Sequence, residues 1–475
     1  MKQKDILLEG IRTGMPLSLR ERIRLTFLLC GPAILAQIAS TLLQFIDASM
    51  VGSLGAGPSA SIGLVSTSIW LIGGFCIANG QGFSVQVAHA IGANDFAAAR
   101  NVLRQGLAVV ICFSVLLAIA GLLIAAPLPR WLGGEAAIRE DASAYFRIYC
   151  MFVPAMQLTF FGVTMLQCSG DMKIPALMDI MMCLLDVIFT FLLIFPTREM
   201  SLLGATFTMP GAGMGVRGAA LGTGLAGTVT AIVIMYFLLV RNKELGLLHH
   251  KGSMRPDMPV LRKASKITGP LWFQNLVMRG AYIASTLIVA PLGAVAIAAN
   301  SFAIIAESFC YMPGYGMGDA ATTLVGQSLG ARRKDLARSF TRITVISGVA
   351  MMVLLAVLMY ILAVPIMSLL SVDADVVALG ARCLRLEAFA EAGYAASIVA
   401  FAACVGAGDT KIPALLNLVS VWAVRIVLAI LLTPKFGLMG YWIAMFFELN
   451  VRGLLFLGRI HGNKWMKTNL NQATV

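Results

Sequence analysis

Gly170-Asp171-Met172-Lys173-Ile174-Pro175-Ala176-Leu177 returns 238 positions later as Gly408-Asp409-Thr410-Lys411-Ile412-Pro413-Ala414-Leu415, with seven of eight residues unchanged. In each copy Gly permits a tight turn, Asp is placed to cap the following helix, and Pro fits that helix's first turn. The first reading is a structural hairpin, with a gate at the mouth of a pathway as the functional alternative.

The same offset superposes other signatures without a gap. Gly31-Pro32 falls on Gly269-Pro270, Leu54-Gly55-Ala56 on Leu292-Gly293-Ala294, Gly92-Ala93 on Gly330-Ala331, Arg100 on Arg338 and Arg104 on Arg342. A single offset held this far marks a duplication. Register is lost after the fifth apolar run, where Pro196 to Gly213 reads as an insertion.

Of the 475 residues, 59% are hydrophobic and 12% charged, and mean hydropathy is +0.86. Soluble domains carry about 25% charged residues. Twelve apolar runs long enough to cross a bilayer begin near Leu25, Ile62, Leu107, Tyr145, Ile174 and Val216, then near Ile267, Val295, Val345, Glu387, Ile412 and Leu438. The expected fold is therefore an all-α polytopic membrane protein, twelve transmembrane helices in two pseudo-symmetric six-helix bundles. Six crossings return each half to its starting side, so the repeats are parallel and related by an axis along the membrane normal. The expected organisation is an N-terminal segment (1–24), an N-lobe (25–240), a polar linker (241–266), a C-lobe (267–460) and a tail (461–475).

The net charge of +13 raises the question of nucleic acid, and its distribution answers it. Of 36 Lys and Arg residues, 25 fall on the side holding the termini and even-to-odd connections, 8 on the other side and 3 within spans. This asymmetry places both termini in the cytoplasm of a cell inner membrane. The clusters at Arg100/Arg104 and Arg332/Arg333/Lys334 suit lipid headgroups. The first 24 residues show no signal-peptide pattern. Nine cysteines are scattered through apolar runs without CxxC or Cys/His spacing, and His89 has no second ligand at helical spacing, so no metal role is assigned to them.

Charges inside the spans carry the most information, because each needs a partner, a cavity or an ion path. Eight are acids: Asp47, Asp179, Asp186, Glu307, Asp319, Glu387, Glu391 and Glu448; three are bases: Arg279, Arg425 and Arg452. The acidic excess favours cations as coupling ion or substrate. Glu448 and Arg452, four apart, are expected to pair, Glu387 to lie at an interface near Arg385, and Arg279 to neutralise Glu307 as a structural alternative to a transport role. Asp47 has no basic residue in its span beyond the first turn. Asp179 and Asp186, two turns apart, share a helix face and are expected to share a cavity. Carboxylates in one dry pocket can exchange protons near neutrality. Pro32, fifteen residues before Asp47, is a candidate for helix bending.

Gln44-Phe45-Ile46-Asp47-Ala48-Ser49-Met50-Val51-Gly52 followed by Leu54-Gly55-Ala56 resembles the opening motif of the MATE (multidrug and toxic compound extrusion) transporters. Glu307-Ser308-Phe309, Met312-Pro313-Gly314 and Thr323-Leu324-Val325-Gly326-Gln327 are similar to that family's eighth span, and the GD…P hairpins fit as well. The resemblance covers about residues 25–460. It implies two lobes in a V, alternating access, and export of amphipathic, often cationic drugs in exchange for H⁺ or Na⁺. Asp47 and Asp186 match the N-lobe coupling acids of DinF-like members, and Pro32 the proline proposed to bend there. Na⁺ at Asp47 and Asp186 is the only metal the resemblance allows. NorM-like members instead carry acids in spans seven and ten; here span seven holds only Arg279, and Glu391 lies about a turn from the tenth-span position. Glu307, Arg279 and Glu391 are therefore secondary cavity candidates. Asp179 replaces a usual amide and assists the N-lobe pair.

The expectation is a monomeric antiporter, needing no cofactor beyond its coupling ion, with organic cations or amphipathic drugs as substrates, lipids around it and no nucleic-acid partner. A flippase for lipid-linked precursors would favour extra spans and a basic cavity. No HExxH, GxSxG or paired metal motif supports a membrane enzyme.

Overall fold

The computed structural model describes residues 3–202, 205–248, 250, 252 and 255–467; most of the expected tail lies outside this range. Nearly all of the described chain is helical. In order, the elements are α1 (Gln3–Arg12), α2 (Leu19–Gly52), α3 (Ala56–Gly92), α4 (Phe96–Ile124), α5 (Leu128–Trp131), α6 (Ala136–Cys168) and α7 (Lys173–Ile194). Then come β1 (Pro196–Leu202), β2 (Ala205–Ala212), α8 (Gly215–Tyr236), α9 (Met258–Val289), α10 (Ala294–Gly330) and α11 (Lys334–Leu370). The chain closes with α12 (Ala374–Glu387), α13 (Glu391–Gly406), α14 (Lys411–Val419), α15 (Val427–Phe436) and α16 (Leu438–His461).

Ten helical stretches among the described residues are long and apolar enough to cross a membrane, α14 and α15 counting as one through an intervening π-helical turn. An eleventh crossing is broken: α12 and α13 meet at 59°. Helix α16 completes the twelve; its 24 residues span about 36 Å, more than a hydrocarbon core of about 30 Å.

Two expectations need correction. The tenth crossing starts at Ala374, not near Glu387, because the Asp373 carboxylate caps α12 by accepting from the amides of Asp375 (2.9 Å) and Val376 (3.3 Å), despite the polar residues that follow. The inserted stretch forms a two-stranded antiparallel β-hairpin, a local addition to an otherwise helical fold. Helices also intrude on both segments expected to be connections: α2 opens at Leu19 on a Ser18/Glu21 capping box, and α9 opens at Met258 behind the Asp257 cap.

The duplication is written in the backbone. Left-handed residues recur at the 238 offset: Gly55 with Gly293 (φ 110° and 91°), Asn94 with Arg332 (61° each) and Gly170 with Gly408 (90° and 77°). The repeated hairpins diverge in their acids. Asp171 accepts from the first-turn amides of Lys173 (3.2 Å) and Ile174 (3.4 Å), whereas Asp409 is held by Arg459 of α16 at 2.6 Å.

The lobes meet at the face that carries the N-terminus. His89 donates from Nε2 to the Gly406 carbonyl (2.9 Å), and its repeat-mate Gln327 donates from Nε2 to the Cys168 carbonyl (2.8 Å). Between these bonds the ends of α3 and α10 touch backbone to backbone. A Cβ on Gly92 would lie 2.0 Å from the Gln327 oxygen, and one on Gly330 would lie 2.0 Å from the His89 oxygen. Helix α1 lies across this joint. Leu7, Leu8 and Ile11 are buried, Lys4 reaches the Gly170 carbonyl (3.0 Å), Arg12 pairs with Glu244, and Arg333 holds the carbonyls of Gly10 (3.2 Å) and Met15 (2.7 Å).

This contact predicts that Gly92→Ala destabilises the purified protein by about 1–3 kcal/mol through overpacking. Gly31→Ala, whose Cβ would meet nothing within 4 Å, is expected to be neutral or stabilising. Thermal unfolding checks both; a Gly92→Ala melting temperature at or above wild type would refute the close joint.

Candidate functional site

Helices α2 and α7 pack together in the N-lobe and bring Asp47 and Asp186 face to face. Their carboxyls lie within hydrogen-bonding reach of each other. Two bare carboxylates repel, so this contact requires a proton or a small cation between them. Asp186 is fully buried; its Oδ1 accepts from the Thr190 hydroxyl at 2.9 Å, and the Thr223 hydroxyl of α8 also reaches it. Asp47 Oδ1 and Asp186 Oδ2 are buried with no protein donor. Tyr145 of α6 stands within electrostatic range of both acids.

Asp179 sits elsewhere. Two turns along α7 toward the lobe joint, it faces Asp319 of α10, while Asp319 accepts from Gln167 Nε2 of α6 (3.4 Å) and is reached by Gln37 of α2. Asp319 is thus a C-lobe acid held by N-lobe amides, and the sequence reading gave it no role. Pro32 lies inside α2, which continues as one helix through it. Just beyond, α10 approaches so closely that a Cβ on Gly316 would fall 2.7 Å from the Ile34 nitrogen.

The C-lobe holds a second acidic group. Glu307 of α10 faces Arg425 and Arg452, and Glu387 and Glu391 flank the α12/α13 break, both fully buried; the Cys310 thiol reaches Glu391, and both Glu387 oxygens lack a donor. Glu448 is instead fully matched: Arg425 (2.5 Å), Arg452 (2.9 Å) and the Ser420 hydroxyl (2.6 Å) converge on it. The Glu448–Arg452 pair is the one expected from their spacing. Two other expectations change. Arg385 lies over the Tyr360 ring (5.8 Å), leaving Glu387 inside the lobe; and Arg279 lies over Trp70 (5.6 Å) and Tyr282 (5.8 Å), away from Glu307. Among the described residues, no group of three or more His, Cys, Asp or Glu is placed to hold a metal ion. The C-lobe acids form a charge cluster, not a chelate.

A signal for the missed residues was present. At the 238 offset Asp47 faces Ser285, Asp186 Val424, Asp179 Asn417, Asp319 Gln81, Glu307 Ile69, Glu387 Tyr149 and Glu391 Val153. These in-span acids are departures from the duplication, and a site that only one half needs looks like this.

Comparison with known proteins gives the same fold. A solved structure described as an outward-facing conformation of a multidrug resistance MATE family transporter superposes with a TM-score of 0.86 at 20% identity, covering 97% of this chain and 99% of that one. A Vibrio cholerae MATE transporter, VcmN, gives 0.83 at 17%, covering 98% and 100%. Relatives named probable multidrug resistance protein NorM are 24% identical in Thermotoga maritima (92% of this chain, 91% of the relative) and 26% in Mannheimia succiniciproducens (91% and 92%). These names give no support to the DinF-like subtype. The MatE family profile matches residues 32–192 and again 270–431, two copies separated by the same 238 residues and covering well over half of the sequence. With its duplicated helical lobes and acids buried within each, this chain belongs to the MatE family of membrane transporters.

Proposed function

We propose that this protein is a secondary antiporter that exports amphipathic, often cationic organic compounds in exchange for H⁺ or Na⁺. The observation that carries this reading is the Asp47–Asp186 pair: two facing carboxyls with buried, donorless oxygens, a place a cation completes. The relatives named multidrug resistance proteins support the substrate class. The excess of basic residues on the terminal face supports an inner-membrane orientation with both termini cytoplasmic. The joint between the lobes is then on the cytoplasmic side, which supports a state open toward the outside, where substrate is released and the ion received.

In this state the pair is charged with a cation from outside; Thr190 and Thr223 hold Asp186 in place while Asp47, on a helix that also touches the C-lobe, registers the change. Substrate occupies the cleft between the lobes. A single chain contains both lobes and suffices as the transporting unit, with lipids around it. Placement of coupling on Asp47 and Asp186 is the DinF-like arrangement. The absence of an acid in the described α9 supports it over a site built on the seventh span.

Asp47→Asn and Asp186→Asn should each lower gradient-driven efflux of a fluorescent organic cation from proteoliposomes at least about tenfold. Imposing H⁺ and Na⁺ gradients separately identifies the ion. Transport surviving in both variants would move the coupling site elsewhere. Ion and drug should also weaken each other's binding to the purified protein, by about 5- to 150-fold and reciprocally. Titrating dye affinity against the coupling ion checks this, and independent binding would rule out exchange through a shared cleft.

A further inference from the structure

Of the arginines on the C-lobe helices, Arg425 and Arg452 are committed to Glu448. Arg279 of α9 makes neither an ion pair nor a hydrogen bond with any described residue. Its place in the fold is specific. Along the α3–α9 seam, three side chains of α9 bond to carbonyls of the N-lobe: Thr268 to Ala78 (3.4 Å), Trp272 to Phe75 (3.2 Å) and Asn275 to Gly74 (3.2 Å). Arg279 comes one turn after Asn275, and among the described residues the seam has no hydrogen bond beyond it. It stands where the lobes begin to part.

A guanidinium inside a membrane-spanning helix needs either a counter-ion or water. Here its neighbours are two ring faces, Trp70 from the N-lobe at 5.6 Å and Tyr282 from its own helix at 5.8 Å, each ring about half exposed (52% and 49%). Ring faces attract the cation but accept none of its N–H bonds in the way a carboxylate does, so its donors remain for a visiting group. A planar fork between aromatic faces suits one ligand chemistry: a carboxylate, taken in a bidentate fashion, attached to a flat ring system that lies along Trp70 or Tyr282.

The geometry points to Arg279 as the receptor for a carboxylate on an aromatic substrate, at the floor of the cleft between the lobes. It deepens the export reading given above and rests on it. Arg279 is a specificity-determining residue in this account: it favours amphiphiles whose anionic group adjoins a flat ring system over those that are cations alone, and it stands apart from the carboxyl pair that holds the coupling ion.

The test uses two xanthene dyes with the same ring system, rhodamine 110 with a free carboxylate and its methyl ester rhodamine 123. Binding to the purified full-length protein is followed by fluorescence polarisation, and efflux is followed in proteoliposomes. Arg279→Gln should weaken binding and efflux of the free acid about tenfold or more while leaving the ester within about twofold; Arg279→Lys, a point charge without the fork, should restore the acid in part. Equal loss of both dyes, or acid binding unchanged by Arg279→Gln, would overturn the assignment. So would binding indifferent to the dye's carboxylate but competed by chloride, which would make Arg279 an inorganic-anion site. If wild type exports neither dye while the acid still binds through Arg279, the receptor stands and the export reading fails.

Discussion

A charge inside a membrane-spanning bundle must be matched, and the way this protein matches some charges and leaves others open organises everything else. Glu448 is the matched case. Two guanidinium groups and a hydroxyl surround it, so removing Glu448 itself would strand buried guanidinium charge at a cost of about 3–5 kcal/mol. That cluster is structural; it joins α16 to the turn between α14 and α15. Asp47 and Asp186 are the unmatched case, with two threonine hydroxyls offered to one carboxylate and nothing to the outward oxygens. A group left open at this depth has to be completed by something that comes and goes.

The joint between the lobes is what such a visitor has to act against. It is built from side chains bonded to carbonyls, from glycine contacts that bring two helix ends together, and from the short helix α1 laid across them. Bonds of this type contribute about 0.5–1.5 kcal/mol each. Moving a two-state equilibrium from one side almost wholly to the other takes about 5.5 kcal/mol of differential affinity. Apolar contacts lie beside these bonds: Leu25 and Leu29 of α2 share a buried cluster with Met317 and Leu324 of α10, and Ala78 and Val85 of α3 share one with Ile267 and Leu271 of α9. Polar bonds and apolar contacts alike must be remade when access changes sides.

The architecture was legible in the sequence because duplication and hydropathy both act over long stretches. The repeated GDxKIP segments located the halves, and the apolar runs located the crossings, tenth excepted. What escaped were features decided by a few local bonds. Asp373 starts α12 thirteen residues before the expected tenth span; Asp257 and Pro259 start α9 inside the expected linker; and Pro196–Leu202 pairs with Ala205–Ala212 as antiparallel strands. The site was legible in its types but not in its pairings. Spacing identified Glu448 with Arg452, since four residues along a helix fix the geometry. It could not say that Arg279 turns toward Trp70 rather than Glu307, or that Asp179 looks toward Asp319, because those choices depend on the rotation of whole helices against each other.

The two acidic groups are not equivalent, and their surroundings support the proposal that coupling uses the N-lobe pair. In the C-lobe Glu307 faces Arg425 and Arg452, so part of the cluster's charge is already answered by fixed cations of the protein. Around Asp47 and Asp186 no arginine or lysine takes that part among the described residues, and the nearest polar neighbours, Thr190, Thr223 and Tyr145, are neutral. A fixed cation keeps a cluster in one charge state through the cycle; its absence leaves the charge state to the solution. Asp47 also sits on the helix that packs against both α7 and α10. A proton or ion arriving there changes the charge of an element shared by the two lobes, which is the position from which access can be switched.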